Sequence, residues 1–257
     1  MNKEQLVDQL LAYFCQEDER FSSFSLPNDY CEKRKLLRGI VNLRAPYPLD
    51  EAILKLEDAL LLLERQEKKI TCVDEITCIE GQLSVWCGDI TTLEVDAIVN
   101  AGNSSLLGCF IPNHTCIDNA IHSYAGIRLR LSCQEMMNGK EERVGNAKLT
   151  DAYNLPCKYV IHTVGPMIGN KVMQVDKDNL RSCYYSCLEL AQKHHIRTIA
   201  FPCISTGLFH FPNDLSAEIA VSTVREFLRE NPGSFERVIF NVFTKEDQEI
   251  YERLFHN

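Results

Sequence analysis

The apolar positions of this chain keep one spacing up to about residue 70 and another beyond it. In the first part Leu6, Leu10, Tyr13 and Phe14 repeat at three-to-four spacing, as do Ile53, Leu56, Leu60 and Leu63. Such spacing places each set on one face of a helix. A third helix is predicted over 34–42, closed by the turn-rich Arg44-Ala45-Pro46-Tyr47-Pro48, and Leu49-Asp50 opens the next with an acidic N-cap. The charged stretch 64–69 ends this part, which holds no chemical motif and reads as a small helical extension over 1–70.

From Ile70 onward strands and helices alternate. Short apolar runs predict strands over 82–86, 97–100, 159–164, 198–202 and 238–243. Helical spacing predicts helices over 116–131, 180–193, 215–228 and 246–255. This order implies an α/β domain over 71–257 whose mostly parallel sheet is covered by helices on both faces. Ligands on such sheets bind at the C-terminal ends of the strands, and the unusual sequence lies there.

Composition changes the picture little. A length of 257 residues suits one large domain or two modest ones, and 45% hydrophobic with 25% charged residues fits a globular chain with a core. The net charge of −9 argues against general nucleic-acid binding through a phosphate-neutralising surface. A nucleotide remains compatible, because backbone N–H groups at a helix N-terminus hold a pyrophosphate without any lysine. The opening residues are amphipathic and acidic, and the longest apolar run near them, 59–63, is far short of a membrane span. A cytoplasmic location is the default expectation. Twelve cysteines are then expected to stay reduced, roughly nine or ten of them as small buried hydrophobes. Cys109 and Cys116 stand out by their surroundings.

Four loops carry candidate chemistry. Asp89, after Gly88, either caps a turn or accepts from an exocyclic amine such as that of adenine. Val99-Asn100-Ala101-Gly102-Asn103 leaves the sheet with two amides, suited to sugar hydroxyls or to a turn. Ser205-Thr206-Gly207-Leu208-Phe209 offers a concave nest of N–H groups for phosphate oxygens, with Gly207 allowing close approach and Phe209 placed to pack on a ribose. In the fourth, Cys109, His114 and Cys116 supply two thiols and an imidazole within eight residues, a soft set that favours zinc. Three ligands leave a fourth position open, as in catalytic sites. The spacing matches no common finger, and buried cysteines beside an incidental histidine stand as an equal alternative. Asp118, which starts the next helix, either orients or deprotonates a water or complements the helix dipole. His122 shares its helix face and is a weaker ligand candidate.

Taken in order, Gly88-Asp89-Ile90-Thr91, the run from Val99 to Gly108, Ile117-Asp118-Asn119-Ala120-Ile121-His122 and the run from Pro202 to Phe209 resemble the macrodomain family. The resemblance implies a three-layer α/β/α sandwich with a mixed, mostly parallel sheet. Most hydrolytic macrodomains carry a glycine run between the Asn and Asp motifs. Here Cys-Phe-Ile-Pro-Asn-His-Thr-Cys replaces it in a longer loop. This departure resembles the zinc-dependent microbial branch, the sirtuin-linked protein-ADP-ribose hydrolases, whose members also carry an N-terminal helical extension. By that resemblance Asp89 binds the adenine amine, Ile90 adds backbone contact and Phe243 lies against the adenine ring. Ser205, Thr206, Gly207 and Leu208 hold the diphosphate, with Phe209 near the distal ribose. Asn103 and Asp118 carry catalysis, the first positioning that ribose and the second as the carboxylate. Cys109, His114 and Cys116 hold Zn2+. The implied activity is removal of mono-ADP-ribose from Asp or Glu esters of a modified protein. The implied partners are a sirtuin-like ADP-ribosyltransferase and a lipoyl-carrier-like substrate. The alternative is a non-catalytic reader of ADP-ribosylated protein whose zinc site is structural, closed by a fourth ligand such as His122.

Overall fold

Polar caps start the three helices of the extension: α1 (Lys3–Glu17), α2 (Tyr30–Leu43) and α3 (Glu51–Gln66). Asn2 and Gln5 form a capping box, and the Asp29 and Asp50 side chains accept from Glu32 and Ala52 N–H groups. The Asp29 cap explains why α2 begins before the predicted residue 34. Leu6, Leu10, Phe14, Leu37, Ile40, Leu54 and Leu60 meet in one core, which also takes in Ile127 and Leu131 from the following part of the chain. The computed structural model describes residues 1–256.

Beyond the extension, β1 (Thr71–Cys72) and β3 (Leu93–Glu94) form a small parallel ladder. The main sheet contains β2 (Leu83–Cys87), β4 (Ala97–Gly102), β5 (Ala147–Asp151), β6 (Tyr159–Val164), β7 (Thr198–Phe201) and β8 (Arg237–Val242). Its order is β2-β8-β7-β4-β6-β5, parallel throughout except for β5 against β6. Ala97 stands opposite Tyr159 on one side and Ile199 on the other, so β4 is central. Successive residues point to opposite faces. Val99, Ile161, Phe201 and Phe240 pack under α6 (Gln174–Lys193), α7 (Asn213–Glu230) and α8 (Lys245–His256). Ile98, Val160, Ala200 and Ile239 pack under α4 (Ile117–Ala125) and α5 (Ile127–Met137). The result is a three-layer α/β/α sandwich with the extension docked beside α4 and α5.

The structure corrects three sequence expectations. The single helix predicted over 116–131 is two, divided at Gly126, whose φ of +94° suits glycine. Strand β5 carried no clear apolar run, because it is an edge strand with only Thr150 buried. Burial of most cysteines also fails: only Cys133, Cys157, Cys183 and Cys187 are buried, while Cys31, Cys78 and Cys87 are exposed. Cys31 sits in the first turn of α2 and Cys87 at the last position of an edge strand, places open to solvent. No helix among the described residues is long and apolar enough to cross a membrane.

Candidate active site at the C-terminal edge of the sheet

The loops that follow the parallel strands gather on one edge. At its β2 and β8 end, Gly88 N–H donates to Val242 O at 3.0 Å, and Asn241 Nδ2 donates to Gly88 O at 2.9 Å. Asp89 caps a 3-10 turn, Ile90–Thr92, its Oδ1 accepting from Thr91 N–H (2.9 Å) and Oγ1 (2.6 Å). Its Oδ2 lies 3.8 Å from Lys68 Nζ, so one oxygen builds the turn and the other takes no part in it. The Ile90 side chain is buried in the core, which leaves its backbone for contact. Phe243, just past β8, is 79% exposed.

The loop after β7 is tethered at both ends. Ser205 adopts a left-handed φ of +67°, its carbonyl accepts from Phe211 N–H at 2.9 Å, and Thr206 Oγ1 donates to Cys203 O at 3.0 Å. Ile168 N–H donates to Phe209 O at 2.8 Å, joining this loop to the one after β6. Phe209 is half-buried, Leu208 is exposed and Gly207 faces open space. Ser205 Oγ is buried without a protein partner. A loop held this way presents its N–H groups as a preformed concavity for oxyanions.

After β4, Asn103 shapes the loop: its Oδ1 accepts from Ser105 N–H (3.1 Å) and Oγ (2.6 Å), and its Nδ2 donates to Gly108 O (3.1 Å). Gly108, at φ +84°, lies over the His122 ring, where a Cβ would come within 2.8 Å. The ligand atoms of Cys109, His114 and Cys116 lie within 4.8 Å of one another, with Cys109 Sγ 3.7 Å from His114 Nδ1. Cys116 is the N-cap of α4, and its Sγ accepts from Asn119 N–H at 3.4 Å. Burial pushes its thiol up to about 12, with Cys109 beside it adding to the effect. Two thiols and an imidazole converging on one point are a set that zinc fits. His122 does not join them: its ring clusters with Cys133 and His162 instead.

Asp118 is buried beneath this loop. Its Oδ1 accepts from Asn100 Nδ2 at 2.8 Å and has His122 Nε2 at 3.6 Å. Burial raises its carboxyl to about 6, with the Asn100 bond opposing. Burial, helped by His162 nearby, holds His122 neutral, so the contact between His122 and Asp118 is not an ion pair. Asn100 Nδ2 also lies 3.2 Å from His162 Nδ1, and Thr150 Oγ1 lies 2.9 Å from His162 Nε2. Of the residues singled out in the sequence, Cys109, His114 and Cys116 converge, Asn103 shapes the start of the same loop, and Asp118 follows it in the first turn of α4. Sequence reasoning missed His162, although a histidine amid the apolar run of β6 was a visible signal. Gly165, Arg38, Asn42 and Arg130, which support these loops, gave none.

The sequence matches the family model for the Macro domain over residues 99–220. A protein-ADP-ribose hydrolase of Staphylococcus aureus (strain MSSA476) is 47% identical over 236 residues, 90% of this chain and 88% of the relative. One of the same name from Treponema medium is 43% identical over 251 residues, 95% of this chain and 96% of the relative. Among solved structures, a Trypanosoma brucei macrodomain in complex with ADP-ribose aligns with a TM-score of 0.67 at 30% identity, covering 83% of this chain and 93% of that one. With the relatives matched over nearly their whole length and the same three-layer fold in the solved neighbour, the chain belongs to the Macro domain family.

Proposed function

We propose that this chain is a zinc-dependent hydrolase that removes mono-ADP-ribose from aspartate or glutamate esters of a modified protein. Relatives named protein-ADP-ribose hydrolase at 43% and 47% identity support the hydrolase, and the ADP-ribose complex of the solved neighbour supports the ligand. The observation that carries the catalytic reading is one loop that places a buried carboxylate, Asp118, two residues from the last of three converging metal-ligating side chains. A reader of ADP-ribose needs neither group.

In this reading Asp89 accepts from the adenine amine and Phe243 lies against the ring. The loop 205–208 holds the diphosphate, Phe209 packs near the distal ribose and Asn103 positions that sugar. Cys109, His114 and Cys116 would hold the zinc ion, which supplies a Lewis acid beside the distal ribose. Asp118 orients the attacking water through its unbonded oxygen, while Asn100 fixes the other. Burial lifts the Asp118 carboxyl toward neutrality, a range in which it accepts and returns a proton. A sirtuin-like ADP-ribosyltransferase and a lipoyl-carrier-like substrate belong to the same proposal and rest on the family resemblance.

The test uses a protein carrying ADP-ribose on aspartate or glutamate, incubated with the enzyme with and without a strong chelator, and with Asp118→Ala. The expected result is release of label by the untreated enzyme alone. Release that persists in both controls overturns the mechanism. No release together with retained ADP-ribose binding leaves a reader.

A further inference from the structure

The extension lies against the ligand loop through polar side chains rather than apolar ones. Arg38, in the middle of α2, donates through Nη2 to Asn119 Oδ1 at 2.8 Å and to His114 O at 3.5 Å. One turn on, the buried Asn42 accepts from Asn113 N–H at 2.9 Å and donates to Ser123 Oγ at 3.1 Å. Asn119, so held, donates from Nδ2 to Ile111 O at 3.0 Å. Between Arg38 and Asn42, Gly39 lets the loop come close: a Cβ there would stand 3.0 Å from Asn113 Nδ2.

Arg130 of α5 closes the arrangement from the other side. Its Nη1 donates to Val41 O (2.8 Å), Asn42 O (3.2 Å) and Arg44 O (2.7 Å), carbonyls in the last turn of α2 and at its C-cap. Its Nε donates to Leu107 O at 2.8 Å, and its guanidinium stacks 4.6 Å from the Phe110 ring centre. Backbone groups at 107, 111, 113 and 114 are therefore all fixed by side chains that belong to α2 or are bonded to it. Cys109 and His114 lie on this fixed stretch, and Cys116 follows it at the start of α4.

The geometry points to α2 as a working part of the active site: Arg38 and Asn42 are positioning residues that hold the Cys109–His114–Cys116 loop in its metal-receiving shape. This inference rests on the zinc reading above for its chemistry. The placement of the loop itself rests on the hydrogen bonds alone. A preformed ligand set binds its ion more tightly than one ordered at the moment of binding, and loss of such supporting bonds costs metal affinity.

The experiment compares the unaltered chain with Arg38→Ala and Asn42→Ala, with Lys33→Ala as a control on the same helix, where Lys33 pairs with Glu4 and Asp8 of α1 and not with the loop or its supports. Zinc affinity is measured by competition with a chromophoric chelator, loop order by hydrogen exchange over 108–116, and ADP-ribose affinity by calorimetry. Zinc affinity is expected to fall about 10- to 100-fold in both alanine variants and loop exchange to rise. ADP-ribose affinity stays within about twofold, because its main contacts lie on other strands. Lys33→Ala matches the wild type in zinc affinity. Wild-type zinc affinity and wild-type exchange in both variants would overturn the proposal. Should wild-type protein take up no zinc, the zinc reading fails, and the exchange data alone decide whether α2 holds the loop. If thermal melts show the alanine variants unfolded, Arg38→Lys replaces them, keeping charge and stem but losing the fork; unchanged exchange there overturns the proposal.

Discussion

Asn100 is fully buried in the central strand, and its one amide nitrogen serves two neighbours. Nδ2 lies 2.8 Å from Asp118 Oδ1 and 3.2 Å from His162 Nδ1, so each receives one N–H. His162 then presents a bare Nδ1 and carries its proton on Nε2, toward Thr150 Oγ1 at 2.9 Å. Burial keeps that imidazole neutral, with its pKa down to about 4. Asp118 is aimed by an amide that a histidine aims in turn. Asn100→Ala is expected to cut hydrolysis about 100-fold while ADP-ribose affinity stays within about threefold. Single-turnover label release and calorimetry read the two apart, and an unchanged rate would remove Asn100 from the site. Gly165 should show the opposite split. A methyl there would stand 2.1 Å from Ser205 Oγ and 2.9 Å from Ile204 Cγ2, so the Ser205 hydroxyl must turn away and the Ile204 side chain must give, which crowds the loop after β7. Gly165→Ala is expected to weaken ADP-ribose binding at least about tenfold, the effect of roughly 1.4 kcal/mol of overpacking. Zinc content should not change. An unaltered calorimetric Kd would mean that the loop's shape is not what holds the ligand.

Helix α5 begins abruptly after Gly126, and the group that receives its first N–H comes from another element. Glu57 of α3 accepts from Ile127 N–H at 2.7 Å. Burial raises this carboxyl to about 7; the Ile127 bond opposes the rise, Asp58 adds to it, and Arg34 and Arg130 also oppose it. The folded chain thus holds the proton more tightly than the unfolded one, whose carboxyl titrates near 4.5. The stabilising contribution is complete below that value and is lost as pH rises through about 7, by about 3 kcal/mol. Glu57→Gln keeps an acceptor for Ile127 and deletes the titration. Urea unfolding at about pH 5 and about pH 8 should show the variant gaining on wild type by about 2–3 kcal/mol at the higher pH. A constant difference would mean that Glu57 is charged throughout. Elements like these mark where sequence reading stops. The break at Gly126 is invisible to periodicity, because Ile121, Ala125, Leu129 and Cys133 keep helical spacing across it. By contrast, β4 and β6 are apolar on both faces and showed themselves as runs. The chemistry between 103 and 118 was legible because its members are neighbours in sequence. Arg38, Asn42 and His162 were not, since their partners lie 81, 71 and 62 residues away.

Across the whole molecule the loops follow the strand order β2, β8, β7, β4. Asp89 leaves β2, Phe243 leaves β8, the 205–208 loop leaves β7, and the ligand loop with Asp118 leaves β4. Strands stand about 4.8 Å apart, so the Asp89 and metal-ligand ends are about 14 Å from each other on one edge. An elongated ligand laid along that edge meets a carboxylate and an aromatic ring, then backbone N–H groups, then amides, thiols and Asp118. In the proposed reading, adenine and diphosphate recognition and bond cleavage use different strands, and damage at one end should spare the other. Asp89→Asn tests the near end with little cost to the fold. Its Oδ1 still accepts from Thr91, but an N–H₂ replaces Oδ2 and meets the adenine amine donor to donor. ADP-ribose Kd should rise about tenfold or more with zinc content unchanged. Cys109→Ser tests the far end, where loss of a soft ligand should empty the metal site and stop label release while ADP-ribose Kd moves by no more than about threefold. Calorimetry and metal analysis on the same two preparations give all four values. If either substitution lowers both zinc content and ADP-ribose affinity, the two ends act as one unit, and the division of labour along the sheet edge is wrong.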